Sequence, residues 1–230
     1  MKNRPPEPVV FWDIDGTLVS PSLERLFIQY LQDRKLVSPW LMVRRMAAVA
    51  LRIPLPPWYR IKVAYLRDET PARIDEWVEA CWREVLESRL LPGAVDSVRR
   101  LADRGVRQVI LSGTIQPLAG RLAAHLKLND VIAATPEIRE DTYTGALTEP
   151  HPHSMHKVRY AERWLDAEGL RWERAVALAD HPEDRYLLRR ATIPVAVNPL
   201  PELEREARRN GWPIATDAEL PTLVGSLLSE

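Results

Sequence analysis

The sequence predicts an α/β fold: a doubly wound, Rossmann-like parallel sheet with a helical segment inserted after its first strand. Three observations carry this. Residues 9–12, VVFW, form a short apolar run of β-formers that ends in polar residues, as a strand buried on both faces does. From residue 91 onward, apolar runs of strand type alternate with amphipathic helical stretches, the pattern of βαβ units. Between these regions, residues 21–90 hold no convincing strand pattern.

Composition narrows the class. A chain of 230 residues accommodates one sizeable domain, or one domain carrying a large insertion. Its 46% hydrophobic and 28% charged residues are ordinary for a globular protein. Lys+Arg and Asp+Glu are equal at 32 each, which argues against nucleic acid as a partner, since such binding draws on a basic excess. Cys81 is the single cysteine, so neither an internal disulfide nor a cysteine zinc site is expected. The opening MKNRPPEPVV lacks the apolar centre of a signal peptide, and together with the lone thiol it leads us to expect a cytoplasmic setting. The most apolar helix-like stretch, 39–55, is interrupted by Arg44 and Arg45. Stable membrane insertion is therefore not expected.

The elements follow in order. After the strand at 9–12 come four helical stretches: 22–34, 39–51, 58–68 and 72–90, separated by prolines at 39, 54, 56, 57 and 71. In the last, Trp77, Cys81, Val85 and Leu86 recur at helical spacing, with charges opposite. A helix over 94–105 should stop at Gly105, and 106–114, VRQVILSGT, reads as a strand running into a turn. Then follow a helix (116–128), a strand (130–136), one arm of a hairpin (141–148) and a helix (156–169). A strand (174–180), a helix (182–191), a strand (193–198) and a helix (201–211) complete the pattern. The organisation expected is a core domain of residues 1–19 and 91–230, with a helical domain of residues 20–90 inserted in it.

Ligand sites in open α/β sheets lie beyond the carboxyl ends of the strands. Four polar clusters fall there. Asp13 follows the first strand, with Asp15 two residues on and Gly16 allowing a tight turn. One carboxylate can attack phosphorus, while a second protonates the leaving oxygen and then deprotonates water. D-x-D-G-T alone could equally be a calcium loop or an acidic turn. Ser112 and Gly113, ending the second strand, can hold a phosphoryl oxygen with a hydroxyl and backbone N–H groups, or Ser112 can be a helix cap. Lys157 can neutralise nucleophile and phosphate charge. Asp180 ends the strand AVALAD, with Asp184 four residues later, and can join Asp13 in an oxygen-rich site for Mg²⁺.

The order D-x-D-G-T, S-G-T, K, D-x-x-x-D resembles the haloacid dehalogenase superfamily of phosphohydrolases, and most closely its phosphoserine phosphatase-like branch. The inserted helices look like that superfamily's cap. The resemblance implies that Asp13 is the nucleophile and Asp15 the general acid/base, Asp15 also giving its backbone carbonyl to Mg²⁺. It implies that Ser112, Gly113 and Lys157 hold the phosphoryl group, that Asp180 binds the metal with Asp13 and Asp15, and that Asp184 supports it. A Mg²⁺-dependent phosphomonoesterase acting on a small phosphorylated metabolite is the expectation. A phosphotransferase to an alcohol, a phospholipid-headgroup phosphatase and a non-catalytic binding protein are the alternatives.

Departures from the family pattern lie near the site. Ala179 stands where glycine is usual, and Glu183 adds negative charge between Asp180 and Asp184. His181 reads as a helix-start residue or one facing substrate. His151, His153 and His156 precede or flank Lys157 in HPHSMHK, which reads as a polar loop, since their spacing matches no metal site. Phosphoserine phosphatases carry a glutamate soon after the first motif to bind the substrate amine. Its equivalent here is Ser22, with Glu24 two residues further on.

Overall fold

Strand β1 (Val9–Trp12) has no exposed residue, and this sets the layering. The computed structural model describes residues 8–37, 40, 43, 47 and 63–227. The other strands are β2 (Arg107–Ile115), β3 (Asp130–Ala134), the hairpin β4 (Pro136–Arg139) and β5 (Thr142–Leu147), β6 (Ala175–Ala179), β7 (Ile193–Val197) and β8 (Ile214–Ala215). Six of them form one parallel sheet in the order β3-β2-β1-β6-β7-β8, the doubly wound arrangement the alternating pattern predicts.

Alternation along the strands feeds two apolar layers. Val10 and Trp12 share one cluster with Ile110, Val176 and Leu178. Val9 and Phe11 share the other with Val109, Leu111 and Ala177. On the first face pack α1 (Leu23–Asp33), α2 (Pro71–Cys81), α3 (Pro92–Asp103), α4 (Gln116–Leu126) and α8 (Leu220–Leu227). On the second pack α5 (Met155–Glu168), α6 (Arg185–Arg190) and α7 (Pro201–Asn210). The indole N–H of buried Trp12 donates to Gln108 Oε1 (3.0 Å), and Gln108 Nε2 donates to the Val98 carbonyl (3.0 Å). Those bonds offset the cost of burying an amide in the core.

The inserted segment differs from its prediction in two elements. The single helix expected over 72–90 is α-helical only as far as Cys81. Trp82–Leu86 then widens into a π turn, and Glu87–Arg89 tightens into a 3₁₀ turn. The π turn places Trp82 and Leu86, neither of them exposed, in the sheet-side core. The predicted helix at 39–51 lies outside the described residues except for Trp40, Val43 and Ala47, which are helical. Of the predicted helix at 58–68, the described part holds only a 3₁₀ turn, Ala64–Leu66.

The hairpin turns through Glu140 and Asp141, both at positive φ (48° and 59°), as a two-residue β-hairpin favours. It grips the insertion: Asp68 N–H donates to the Tyr143 carbonyl and Tyr143 N–H to the Glu69 carbonyl, each 2.9 Å. No helix among the described residues is long and apolar enough to cross a membrane.

Helix α3 begins with Leu91, which has no capping side chain. Its first-turn donors are met from far along the chain, where the Asp217 carboxylate accepts from Gly93 N–H (3.0 Å) and Ala94 N–H (2.7 Å). Asp217→Ala should therefore cost about 1 kcal/mol, the usual worth of a helix cap. A urea melt with unchanged slope would read it; an unshifted midpoint would remove Asp217 from the capping role.

Candidate active site

The chain leaves β1 for β2 and β3 on one side, and for β6, β7 and β8 on the other. The switch point between β1 and β6 is where such sheets open a crevice. Asp13 is the first residue past β1, and Asp180 the first past β6. Asp13 N–H continues the ladder to the Leu178 carbonyl (3.0 Å), which brings these two strand ends side by side. A cavity of about 540 Å³ lies above them. All seven residues singled out in the sequence line it: Asp13, Asp15, Ser112, Gly113, Lys157, Asp180 and Asp184.

Lys157 sits in the first turn of α5, and its ammonium lies 2.7 Å from both Asp13 Oδ1 and Asp184 Oδ1. The three residues are 3%, 6% and 4% exposed, so the cation and its partners are held out of water together. Burial alone would lower the lysine's pKa, but Asp13 and Asp184 reverse this and push it up. Burial pushes Asp13 up to about 6, with Asp184 adding to the rise and Lys157 opposing it.

Asp15 turns toward the insertion. Its Oδ1 accepts from Leu23 N–H and its Oδ2 from the Ser22 hydroxyl, each 2.8 Å. Burial, then the charge of Asp13, raises its pKa. Gly16 follows Asp15 at φ +77° and faces the end of β6. A Cβ there would lie 2.1 Å from Asp180 Oδ2, so only glycine fits.

β2 continues through Ile115, three residues past Ser112, where a turn was expected. A register shift between Leu111 and Ile115 accommodates the extra length. Ser112 is therefore not a helix cap. Its Oγ accepts from Thr114 N–H (3.2 Å), a bond made within the irregular stretch of β2. Gly113 has His151 packed on it, and a Cβ would come within 2.4 Å of that ring.

Asp180 has its Oδ1 buried with no hydrogen-bond partner among the described residues. Burial, then Asp13 and Asp184, pushes its pKa up to about 8. Two carboxylates at strand ends, Asp13 and Asp180, and a third in the 3₁₀ turn after β6, Asp184, therefore share a single lysine. A carboxylate oxygen buried without a donor, in an excess of negative charge, is the environment a hard divalent cation takes. Asp13 and Asp180 are the strand-end carboxylates that could hold it.

The histidine segment is only partly the polar loop the sequence suggested. His151 is buried (5% exposed), and both it and His153 line the cavity. Their rings stand 5.5 Å apart, and His153 Nδ1 is 3.9 Å from Glu183 Oε2. His181 Nδ1 accepts from Glu183 N–H (3.2 Å) and begins the 3₁₀ turn Pro182–Asp184, while its side chain also reaches the cavity. Sequence reasoning missed the bond from Ser22 to Asp15 and the pairing of Tyr65 with Glu24 (2.8 Å). An N-cap serine before an amphipathic helix was legible, but its second bond was not.

Comparison with known proteins gives a consistent picture. The model of the haloacid dehalogenase-like hydrolase family matches residues 10–189. A phosphoserine phosphatase of Streptomyces coelicolor is 27% identical over 89% of this chain and 47% of its own length. One of Mycobacterium tuberculosis is 24% identical over 67% of this chain and 50% of its own. The chain thus spans about half the length of these curated relatives. Among solved structures, a protein of unknown function from Bordetella pertussis superposes with a TM-score of 0.81 at 24% identity, covering 91% of this chain and 98% of that one. A phosphoserine phosphatase carrying a phospho-aspartyl intermediate analogue gives 0.63 at 18% identity, covering 92% and 94%. At these identities the structures speak to the fold.

Two outcomes follow from the electrostatics. Lys157→Met leaves Asp13 and Asp184 buried without their cation and should cost about 3–5 kcal/mol in chemical denaturation; a cost below about 1 kcal/mol would mean water reaches the pair. Asp180 binds its proton more tightly folded than unfolded, so in chelator the fold should lose stability as pH rises from about 3.8 to about 8. Asp180→Asn should then melt above the parent at the alkaline end of that window and lose the advantage at the acid end. A difference independent of pH would exclude Asp180 from this linkage.

Proposed function

The chain belongs to the haloacid dehalogenase-like hydrolase family, and from that premise we propose that it hydrolyses a small phosphomonoester through an aspartyl phosphate formed on Asp13. The observation that carries the reading is the setting of Asp13: a buried carboxylate at the end of a central strand, bonded at 2.7 Å to a buried lysine, with a cavity in front of it. A buried ion pair of this kind gives a strand end little net stability over an apolar contact. It presents an oriented nucleophile to a dianion and supplies a cation for the charge the two share.

In this reading residues 20–90 act as a cap over a core of residues 1–19 and 91–230. Asp13 and Asp180, with the Asp15 carbonyl, would hold Mg²⁺, which when bound neutralises phosphoryl charge and aligns the ester with its nucleophile. Asp13 attacks phosphorus. Ser112 and the backbone at Gly113 bind the phosphoryl oxygens, and Lys157 balances the charge on Asp13 and on the transferring group. Asp184 holds Lys157 in place from the other side (2.7 Å). Asp15 gives its proton to the leaving oxygen and recovers one from the water that cleaves the acyl phosphate.

The substrate is read as a small polar metabolite because charged and polar side chains dominate the cavity wall, Glu24, Arg25, His153 and Glu183 among them. Phosphoserine, the substrate named for the relatives, is the first to test. The cytoplasmic setting stays part of this reading, supported by the single, buried thiol of Cys81.

Phosphate release should be measured over a panel of alkyl phosphates, including phosphoserine and sugar phosphates, and with 4-nitrophenyl phosphate. Turnover should require Mg²⁺ and stop with chelator. Asp13→Asn should lower it by roughly 10³-fold or more, as loss of a nucleophile does, while circular dichroism and melting show a folded protein. Undiminished release by that variant would sink the assignment.

A further inference from the structure

We propose that Ser22 is a positioning residue for this reaction: its hydroxyl proton holds the Asp15 carboxyl in the orientation that serves the leaving-group oxygen. The proposal rests on the reading of Asp13 and Asp15 given above.

Asp15 lies beyond β1, bridging to Val19 across the turn at 16–18, and outside any strand of the sheet that would fix its side chain. Two bonds do so instead. Leu23 N–H reaches Oδ1 and the Ser22 hydroxyl reaches Oδ2, both at 2.8 Å. Both donors belong to the beginning of α1, and α1 is itself anchored, with Leu23, Phe27 and Leu31 buried in the sheet-side core. A continuous path of fixed contacts therefore runs from the core, through the first turn of the insertion, to the proton-bearing carboxyl. A carboxylate offers about four lone-pair sites, so the two donors leave room for a proton directed at substrate. Ser22 and Asp15 line the same cavity.

Ser22 is also the N-cap of α1, its Oγ accepting from Arg25 N–H (3.4 Å). The two roles use different parts of the hydroxyl. Capping needs only an oxygen lone pair, which many side chains supply. Orienting Asp15 needs the proton.

The chemistry makes the two roles separable. In the first step the bond from Asp13 oxygen to phosphorus forms as the ester P–O bond breaks, and the Asp15 proton passes to the departing oxygen. In the second, water oxygen bonds to phosphorus, the Asp13–phosphorus bond breaks, and a water proton returns to Asp15. An alkoxide needs that first proton to leave; 4-nitrophenolate, a weak base, does not. Since kcat/KM reports the first step, the ratio of kcat/KM for an alkyl phosphate to that for 4-nitrophenyl phosphate isolates proton donation from general damage.

The ratio is to be measured, with the fastest alkyl phosphate of the panel, in the parent and in Ser22→Ala, Ser22→Asp and Ser22→Thr. Ser22→Asp keeps a good helix cap but has no proton to donate, so it covers the case in which Ser22→Ala fails to fold. The ratio should fall roughly tenfold or more in Ser22→Ala and Ser22→Asp and stay within about twofold of the parent in Ser22→Thr. An unmoved ratio, whether both rates drop together or neither does, overturns the positioning role. A parent that turns over neither ester overturns the hydrolase reading beneath it, and the two results cannot be confused.

Discussion

The buried ammonium of Lys157 is the interaction on which the rest of the site depends. It lies 2.7 Å from Asp13 and 2.7 Å from Asp184, and so joins the end of β1, the first turn of α5 and the 3₁₀ turn after β6. Removing these charges from water carries a desolvation penalty that mutual attraction and hydrogen bonds only partly offset. Such a cluster earns little as a structural device. Its persistence at the switch point of the sheet makes sense when the same charges are used on a dianionic ligand. The raised pKa values of Asp13 and Asp180 share their causes: burial first, and then the charge of neighbouring carboxylates that a single lysine does not balance.

Much of this was readable from the residues. Parallel strands covered on both faces leave near-continuous apolar runs, and VVFW and AVALA could hardly be anything else. The site residues were legible because a strand end is a fixed point: Asp13 and Asp180 follow apolar runs directly, and the sheet brings their ends together. What escaped was whatever depends on contact between distant segments. The π turn at Trp82–Leu86 answers to packing and not to local preference. β2 ran past Ser112 because a bulge absorbed residues that look like a turn. The bond from Ser22 to Asp15 links neighbours in sequence, yet no rule of spacing says which way a capping hydroxyl aims its proton.

The histidines show the same limit from the other side. HPHSMHK looked like a solvated loop because its composition is polar. Burial of His151 is permitted by a glycine of β2: Gly113 lacks the Cβ that would sit 2.4 Å from the ring. Gly16 plays the matching part beneath Asp180. In both places backbone replaces side chain so that a functional group can come close.

The apolar cluster on the first face of the sheet has a consequence for modularity. Phe27, Ile74 and Trp82 of the insertion share it with Ile115, Leu118 and Leu122, and Arg121 of α4 bridges the seam, bonding Glu79 (2.6 Å) and stacking over the Trp82 ring (4.5 Å). The described helices of the insertion are therefore not a detachable lid. Exchanging them for those of a relative would strip oil from under α4 and leave a wet scar on the sheet domain. Single side-chain replacements on the cavity wall leave this shared core in place, whereas a wholesale graft would first have to rebuild it.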